Sequence, residues 1–562
     1  MAALGAVAPS WGASPRVQLA LGAATLAVVA LLTAAPVFVV ILGALDANVW
    51  HETFAESRTN RSALGYSFLL ALRAPVAALA GFLIAWLLIR FRLPGGRFIE
   101  FAMWVTFFIP ILPVTLSWIL LLSPRYGLIN EWLKLLPFVD GPVFDVYSIG
   151  GILWVHVIAS SVPVMVLLLG PAIRQLDSSF EEVGRTCGSS PFQVFRRITL
   201  PILAPAILTG TLAGFIKSLE AFEVEQLLGR PSDIYVYSTR IYDLASWEPP
   251  NFAGAMALST FVLCILLLVA VAYQRLNRRA AYATILGRGA SFAQLRLGRS
   301  RWAVSGVLML VVAVALALPL AMLVVGSCMK LFGFFNIPAP YTLDHWRTVL
   351  GDPTFERSLV NSLVLSAGAG FAGVLIYATI AYLIVRSRLP GRGVVDLLAW
   401  LPWSIPGILL GVSVLWLILA SPLLSFLYGS MFSLILIMVV AQMPIGVHMM
   451  KTSIRQIGVE LEHSSRVCGA GPARTFFAIV LPLIRPMLVS IFVIVFISAI
   501  RDISTIIFLA SAKNQTLSLL MMQFSMSSNL EASAVVGVVT TAIVVLVALA
   551  ARRYGLNVMA QR

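Results

Sequence analysis

Two groups of ionisable side chains interrupt an otherwise apolar chain, at related places. Lys217, Glu220, Glu223 and Glu225 gather where one apolar run ends, and Arg501 and Asp502 stand where another ends. Glu220 and Arg501 are 281 positions apart, half of the 562-residue length. Charge held near a bilayer interior is costly and defaults to an ion or substrate pathway; snorkelling to the interface is the structural alternative. Glu220, Glu223, Arg501 and Asp502 are therefore candidate pathway or gate residues, while Arg73, inside the second run, is read as satisfying a structural partner. Other chemistries lack their spacing. His51, His156, His345, His448 and His463 form no His-x-x-x-His pair for zinc. There is no Gly-x-x-x-x-Gly-Lys-Ser/Thr phosphate loop and no Gly-x-Ser-x-Gly elbow. Cys187, Cys264, Cys328 and Cys468 have no metal-ligand spacing and read as small, half-buried side chains. No catalytic residue and no metal ligand is assigned, so a membrane enzyme has no site to stand on.

The 281-residue register also governs a longer stretch that occurs twice. Glu181-Glu182-Val183-Gly184-Arg185-Thr186-Cys187-Gly188, nine residues, then Ile198-Thr199-Leu200-Pro201 is one copy. Glu462-His463-Ser464-Ser465-Arg466-Val467-Cys468-Gly469, nine residues, then Ile479-Val480-Leu481-Pro482 is the other. Ser179 with Glu182 reads as a capping box, Gly188 as the left-handed residue that closes a helix, and Ser190-Pro191 with Gln193 as the start of the next. The second copy keeps Gly469 and Pro472 but has Gly471 at the N-cap, a weaker cap. The predicted shape is helix, sharp turn, helix, then Leu-Pro opening an apolar run. Such a polar elbow must lie outside the hydrocarbon.

The elements that position these residues are membrane helices. Apolar residues make up 60% and charged residues 11% of the chain, against roughly 45–50% and about 25% in soluble domains. Twelve spans are predicted near 17–42, 64–90, 99–122, 150–172, 199–219, 253–274, 302–327, 360–385, 394–419, 430–450, 479–500 and 532–551. The first, after Arg16, is too long for a signal-peptide core and is read as retained. With the N-terminus inside, 25 of the 39 Lys and Arg residues fall in inside segments, which fits the positive-inside rule and makes both elbows and both termini cytoplasmic. The net charge of +15 thus marks cytoplasmic loops rather than nucleic-acid binding. Arg92-Leu93-Pro94-Gly95 recurs as Arg388-Leu389-Pro390-Gly391, 296 residues later, so the first half carries about 15 extra residues, placed in the outside loop 123–149. The organisation is a span and loop (1–59), a first half (60–275), a basic linker (276–301), a span and loop (302–356), a second half (357–555) and a tail (556–562). The fold class is all-α and polytopic, with two parallel-related halves.

The repeated elbow resembles the EAA motif of binding-protein-dependent ABC importer permeases: Glu-Ala-Ala, three residues, Gly, nine residues, Ile-x-Leu-Pro. Gly188, Gly469, both Ile-x-Leu-Pro elements and both spacings are kept; the alanines are not, and His463 stands in the motif's Glu place, directly after Glu462. The resemblance covers roughly 60–275 and 357–555. It implies a type I importer permease with both halves fused, whose elbows are coupling helices for a separate ATPase. Glu181, Glu182, Arg185, Gly188, Leu200 and Pro201, with Glu462, His463, Arg466, Gly469, Leu481 and Pro482, are then the coupling residues; Arg185 and Arg466 would face acidic groups on the ATPase or simply be solvated. Two ATPase copies, holding ATP and Mg, and a periplasmic solute-binding protein are the implied partners, in a bacterial inner membrane, with no cofactor on this chain. Glu220-Ala221-Phe222-Glu223 with Leu227-Leu228-Gly229, and Arg501-Asp502-Ile503-Ser504-Thr505, look like the ferric-iron group, so ferric iron is the expected solute. Thiamine, polyamine or phosphonate import stays open, as does an ion-coupled secondary carrier of twelve spans.

Overall fold

In a bilayer, backbone N–H and C=O groups must be paired within the segment. A computed structural model describes residues 15–177, 179–283, 298–387 and 391–553, and among them the only β pairing is one isolated bridge, Met329 with Tyr341. The Arg388-Leu389-Pro390 turn, the middle of the basic linker and the tail 556–562 lie outside the described residues. In chain order the helices are α1 (Pro15–Gly43), α2 (Arg58–Arg90), α3 (Gly96–Phe108), α4 (Ile111–Leu122), α5 (Ile149–Arg174), α6 (Ser179–Thr186), α7 (Pro191–Leu219), α8 (Tyr237–Ser246), α9 (Phe252–Ala283) and α10 (Ser300–Ser327). They continue as α11 (Pro353–Arg386), α12 (Arg392–Ser404), α13 (Gly407–Ala420), α14 (Met431–Gln456), α15 (Val459–Val467), α16 (Ala473–Leu483), α17 (Arg485–Arg501), α18 (Leu517–Met526) and α19 (Leu530–Arg553). Among the described residues nine helices are long and apolar enough to cross a membrane, or up to twelve if each bent pair is one span.

All twelve predicted spans appear, but three are not straight. α3 and α4 meet at 103°, α12 and α13 at 114°, and α16 and α17 at 76°. The first two bends fall at Ile109-Pro110 and Ile405-Pro406, 296 residues apart. A proline forces the residue before it out of the helical region: Ile109 has ψ 133° and Ile405 ψ 115°. Other prolines are absorbed by one wide turn instead. π turns precede Pro163, Pro201, Pro319 and Pro482, with Leu200 N–H on Phe195 O and Leu481 N–H on Phe476 O, which spares the helix the clash of a proline ring with the preceding turn. The short helices α8 and α18, which stand in equivalent places of the two halves, lie between predicted spans.

Contacts divide the chain into two units that cut across the order of the sequence. Of the described residues, one unit contains those within 46–356 and 517–546, the other those within 15–45, 357–516 and 547–553. In the first unit α2 packs on α5 and α7, and α10, which opens the second half, packs on α3 and α4. In the second unit α14 packs on α17, and α1, which opens the first half, packs on α12 and α13.

The α2–α5 crossing is closed by small residues. Ala77, Ala78 and Ala85 of α2 are buried against Val162, Val166 and Leu169 of α5, and a Cβ on Gly81 would stand 2.4 Å from Met165 Cβ. The second unit solves the same crossing in reverse. The counterpart of Gly81 is Tyr377 and that of Met165 is Gly446, and a Cβ on Gly446 would stand 2.0 Å from Tyr377 Cδ2. Tyr377 Oη donates to Val439 O at 2.6 Å, which satisfies the hydroxyl that the exchange buries. Gly81→Tyr alone is expected to prevent stable packing of the first unit, an overpacking larger than the usual range of about 1–3 kcal/mol. Gly81→Tyr with Met165→Gly should recover much of the loss, read as folded yield and thermal midpoint in detergent.

Candidate functional site

Each elbow is shaped by the residues that its sequence repeats. α6 starts at Ser179, whose N–H donates to Asp177 Oδ1 at 3.0 Å. The helix ends on Gly188 at φ +83°, with Gly188 N–H on Arg185 O and Ser189 N–H on Gly184 O, the paired bonds of a Schellman turn. α15 closes on Gly469, also at φ +83°, with Ala470 N–H on Ser465 O. Ser190 and Gln193 form the predicted capping box. Leu200 and Leu481 are half-buried, and Pro201 and Pro482 are exposed.

The alanines of the motif are missing for a readable reason. The first alanine place is exposed in both elbows, as Val183 and Ser464. The second needs only a small residue: a Cβ on Gly184 would be 2.6 Å from Ile198 Cδ1 and 3.2 Å from Val194 Cγ2. In the second elbow Ser465 and Thr475 hold these two places and their hydroxyls meet at 3.1 Å.

The glutamate that anchors each elbow is the one before the motif's place. Glu182 is exposed and His463 half-buried. Glu181 is buried, with Arg90 Nη2 at 2.5 Å and a hydrogen bond of 3.0 Å from Thr199 Oγ1. Glu462, in the same register, is buried with Arg386 Nε at 2.7 Å and accepts from Tyr382 Oη at 2.9 Å. Arg90 and Arg386 end α2 and α11 and are 296 residues apart. Glu100 and Asp396, also 296 residues apart, each meet a cation, Arg174 and Lys451, which do not stand at equivalent places. Substitution of His463 for the motif's glutamate therefore leaves the buried carboxylate of the second elbow in place. Arg185 is exposed, and the side chain of Arg466 lies outside the described residues.

The pathway candidates are placed by local bonds. Lys217 Nζ lies 2.7 Å from Glu220 Oε2, one turn along the end of α7. Glu223 is half-buried. Asp502 caps the turn after α17, accepting from Thr505 N–H and Thr505 Oγ1, each at 2.9 Å, and Arg501 beside it is half-buried. No group of His, Cys, Asp and Glu among the described residues is placed to hold a metal ion.

One cluster was not legible in the sequence. His156 Nε2 lies 2.8 Å from Glu225 Oε1, and Arg73 Nη1 lies 3.8 Å from the same oxygen, with all three side chains buried. Arg73 also donates to Leu70 O and Ser218 O. His156 and Glu225 are 83 and 152 positions from it, so spacing gives no signal. The second half has apolar residues at these places. Arg73 corresponds to Ala369, Glu225 to Ile506, and His156 to Ile437 or Met438, all buried. The choice between the last two reflects the π turn after His156, which adds one residue: the caps Ser148 and Ser430 are 282 apart, whereas Pro163 and Pro444 are 281 apart.

Comparison with known proteins agrees with the duplicated geometry. The ferric transport system permease protein FbpB of Actinobacillus pleuropneumoniae is 26% identical over 374 residues, 65% of this chain and 52% of that protein, so the chain spans about half the length of that relative. The Fe(3+)-transport system permease protein FbpB 2 of Haemophilus influenzae is 22% identical over 463 residues, 81% of this chain and 82% of that protein. A "Probable sulfate transport system permease protein" of Prototheca wickerhamii is 29% identical over 230 residues, 40% of this chain and 86% of that protein. Residues 77–282 and 373–555, one stretch from each half and each containing an elbow, both match the binding-protein-dependent transport system inner membrane component, and the chain belongs to that family.

Proposed function

We propose that the chain is the fused permease of an ABC importer in a bacterial inner membrane, with both termini cytoplasmic and ferric iron as solute. The observation that carries this reading is the pair of elbows, closed by the same turn at the same register. Each also leaves apolar side chains in the open: Phe180 and Leu461 at equivalent places, with Val183 and Val467 exposed by 61% and 88%. A polar elbow with bare apolar side chains fits docking into a groove of a cytoplasmic ATPase, one copy per elbow. Glu182, Arg185, Gly188 and their counterparts His463, Arg466 and Gly469 face or shape that contact. Leu200-Pro201 and Leu481-Pro482 carry its movement into the next membrane helix. ATP and Mg belong to the ATPase, a periplasmic binding protein delivers the solute, and closure of the ATPase rocks the two halves between inward and outward access.

Iron is favoured over the other solutes because a relative named for Fe(3+) transport matches across both halves. The sulfate relative supports a second reading over a shorter stretch. Deleting the chain from its host should abolish uptake of radiolabelled ferric iron and leave labelled sulfate uptake intact; the opposite result would assign it to sulfate. Uptake by vesicles holding the chain alone under an ion gradient would overturn the ATPase-driven reading. Glu220, Glu223, Arg501 and Asp502 line the pathway in this proposal. Glu220→Gln is expected to slow uptake several-fold while the ATPase stays bound, and unchanged uptake would return the residue to a structural role.

A further inference from the structure

The buried ion pair at the root of each elbow is unlike the surface features that a docking segment needs. Glu181 and Glu462 point away from the exposed face, into the protein, and each meets the last arginine of the helix that precedes the Leu-Pro-Gly turn: Arg90 on α2, Arg386 on α11. The pair is kept in both units although its surroundings have changed. Beside the ion pair, Glu181 accepts a hydrogen bond from Thr199, whose counterpart is Val480, and Glu462 accepts one from Tyr382, whose counterpart is Trp86. Only the carboxylate and the guanidinium are common to both sites. Arg386 also donates to Ile454 O at 3.0 Å and Ile457 O at 2.6 Å, so one side chain gathers the end of α14, the start of the elbow and the end of α11.

A buried pair adds little net stability over an apolar contact of the same shape, but separating its members is costly. It therefore acts as a joint that resists opening. We infer that Arg90 and Arg386 are positioning residues for energy coupling: each clamps its elbow to α2 or α11, so that the elbow and that membrane helix move as one body. The inference rests on the coupling role proposed for the elbows. It also distinguishes the two sides. Glu181 joins α2 to α7 through Thr199, whereas both side-chain partners of Glu462, Arg386 and Tyr382, belong to α11.

The test has two arms. In the purified full chain, with Cys187, Cys264 and Cys328 replaced, spin labels on Cys468, which is exposed, and on Thr379→Cys in α11 report the distance between elbow and helix. A single narrow distance is expected in the parent and in Arg386→Lys, and a broadened one in Arg386→Gln and Glu462→Gln. In the complex assembled with its ATPase, Arg386→Gln should keep the ATPase bound and hydrolysing while ferric iron imported per ATP falls about tenfold, the size of a typical coupling term. A role in folding alone would lower the amount of complex but not that ratio. If Arg386→Gln assembles too poorly to measure, Arg386→Glu with Glu462→Arg, which restores the pair in reverse, takes its place: a narrow distance and a recovered ratio support the joint, and failure of both overturns it. An unchanged distance and ratio in Arg386→Gln also overturn it. Gly469→Asp is the control for the elbow itself. A defective Gly469→Asp beside a normal Arg386→Gln removes the joint and leaves the coupling role, whereas a normal Gly469→Asp removes the coupling role.

Discussion

Gly188→Asp is expected to abolish uptake while the protein still inserts and folds, and Gly188→Ala is expected to keep most of it. The structure separates the two causes of damage at this position. Gly188 lies at φ +83°, where any Cβ is strained, but no atom stands within 4 Å of the place a Cβ would occupy. Alanine therefore meets only the backbone penalty of the left-handed region, about 1–2 kcal/mol, and aspartate is among the residues that tolerate that region best. The turn should survive in both variants. What differs is a carboxylate on the exposed side of the elbow, which in the proposed docking would lose its water with no partner designed for it. An unpaired buried charge costs about 3 kcal/mol or more, on the order of a hundredfold in affinity. Gly469 has the same φ and the same open space, and Gly469→Asp should behave alike. Co-purification of the ATPase and uptake of labelled iron check both variants; an Asp variant that binds ATPase normally would place the docking surface elsewhere.

The second large effect concerns the buried cluster of the first half. Glu225→Ile alone should be severely destabilising, because Arg73 and His156 are left in the interior without the carboxylate that both approach. Breaking such a set costs about 3–5 kcal/mol. Glu225→Ile, His156→Ile and Arg73→Ala together reproduce the second half, where Ile506, Ile437 and Ala369 are buried with no charge at all. The triple variant is expected to recover most of the lost thermal stability in detergent. Transport by the triple variant then decides whether the charges do more than hold helices together: recovery of stability without uptake would make the cluster part of the pathway.

The parts that could be read from the sequence were those written twice. The register placed both elbows, both Leu-Pro junctions and the helices around them, because a repeated turn needs a repeated glycine and a repeated stop needs a repeated proline. Pro110 and Pro406 carried the signal for the bent spans, yet a hydropathy window averages across a proline and reports one straight helix. The anchoring carboxylates were among the residues named, but the motif pointed to Glu182 and His463, since spacing cannot tell which of two adjacent helical residues faces inward. Arg73, His156 and Glu225 could not have been joined beforehand, because three elements far apart in the chain bring them together. The Gly81–Met165 and Tyr377–Gly446 exchange was hidden for a related reason: each residue looks unremarkable until its opposite number across the helix crossing is known.

The crossed membership of the two units bears on how the protein is made. α1 leaves the ribosome before the helices packed on it, α12 and α13, which are not complete until residue 420. The first unit likewise waits for α10 and then for residues 517–546. Neither unit can mature in the vectorial, domain-by-domain order usual for multidomain chains. Membrane insertion must therefore run well ahead of helix packing, and α1 waits in lipid until α12 and α13 follow it.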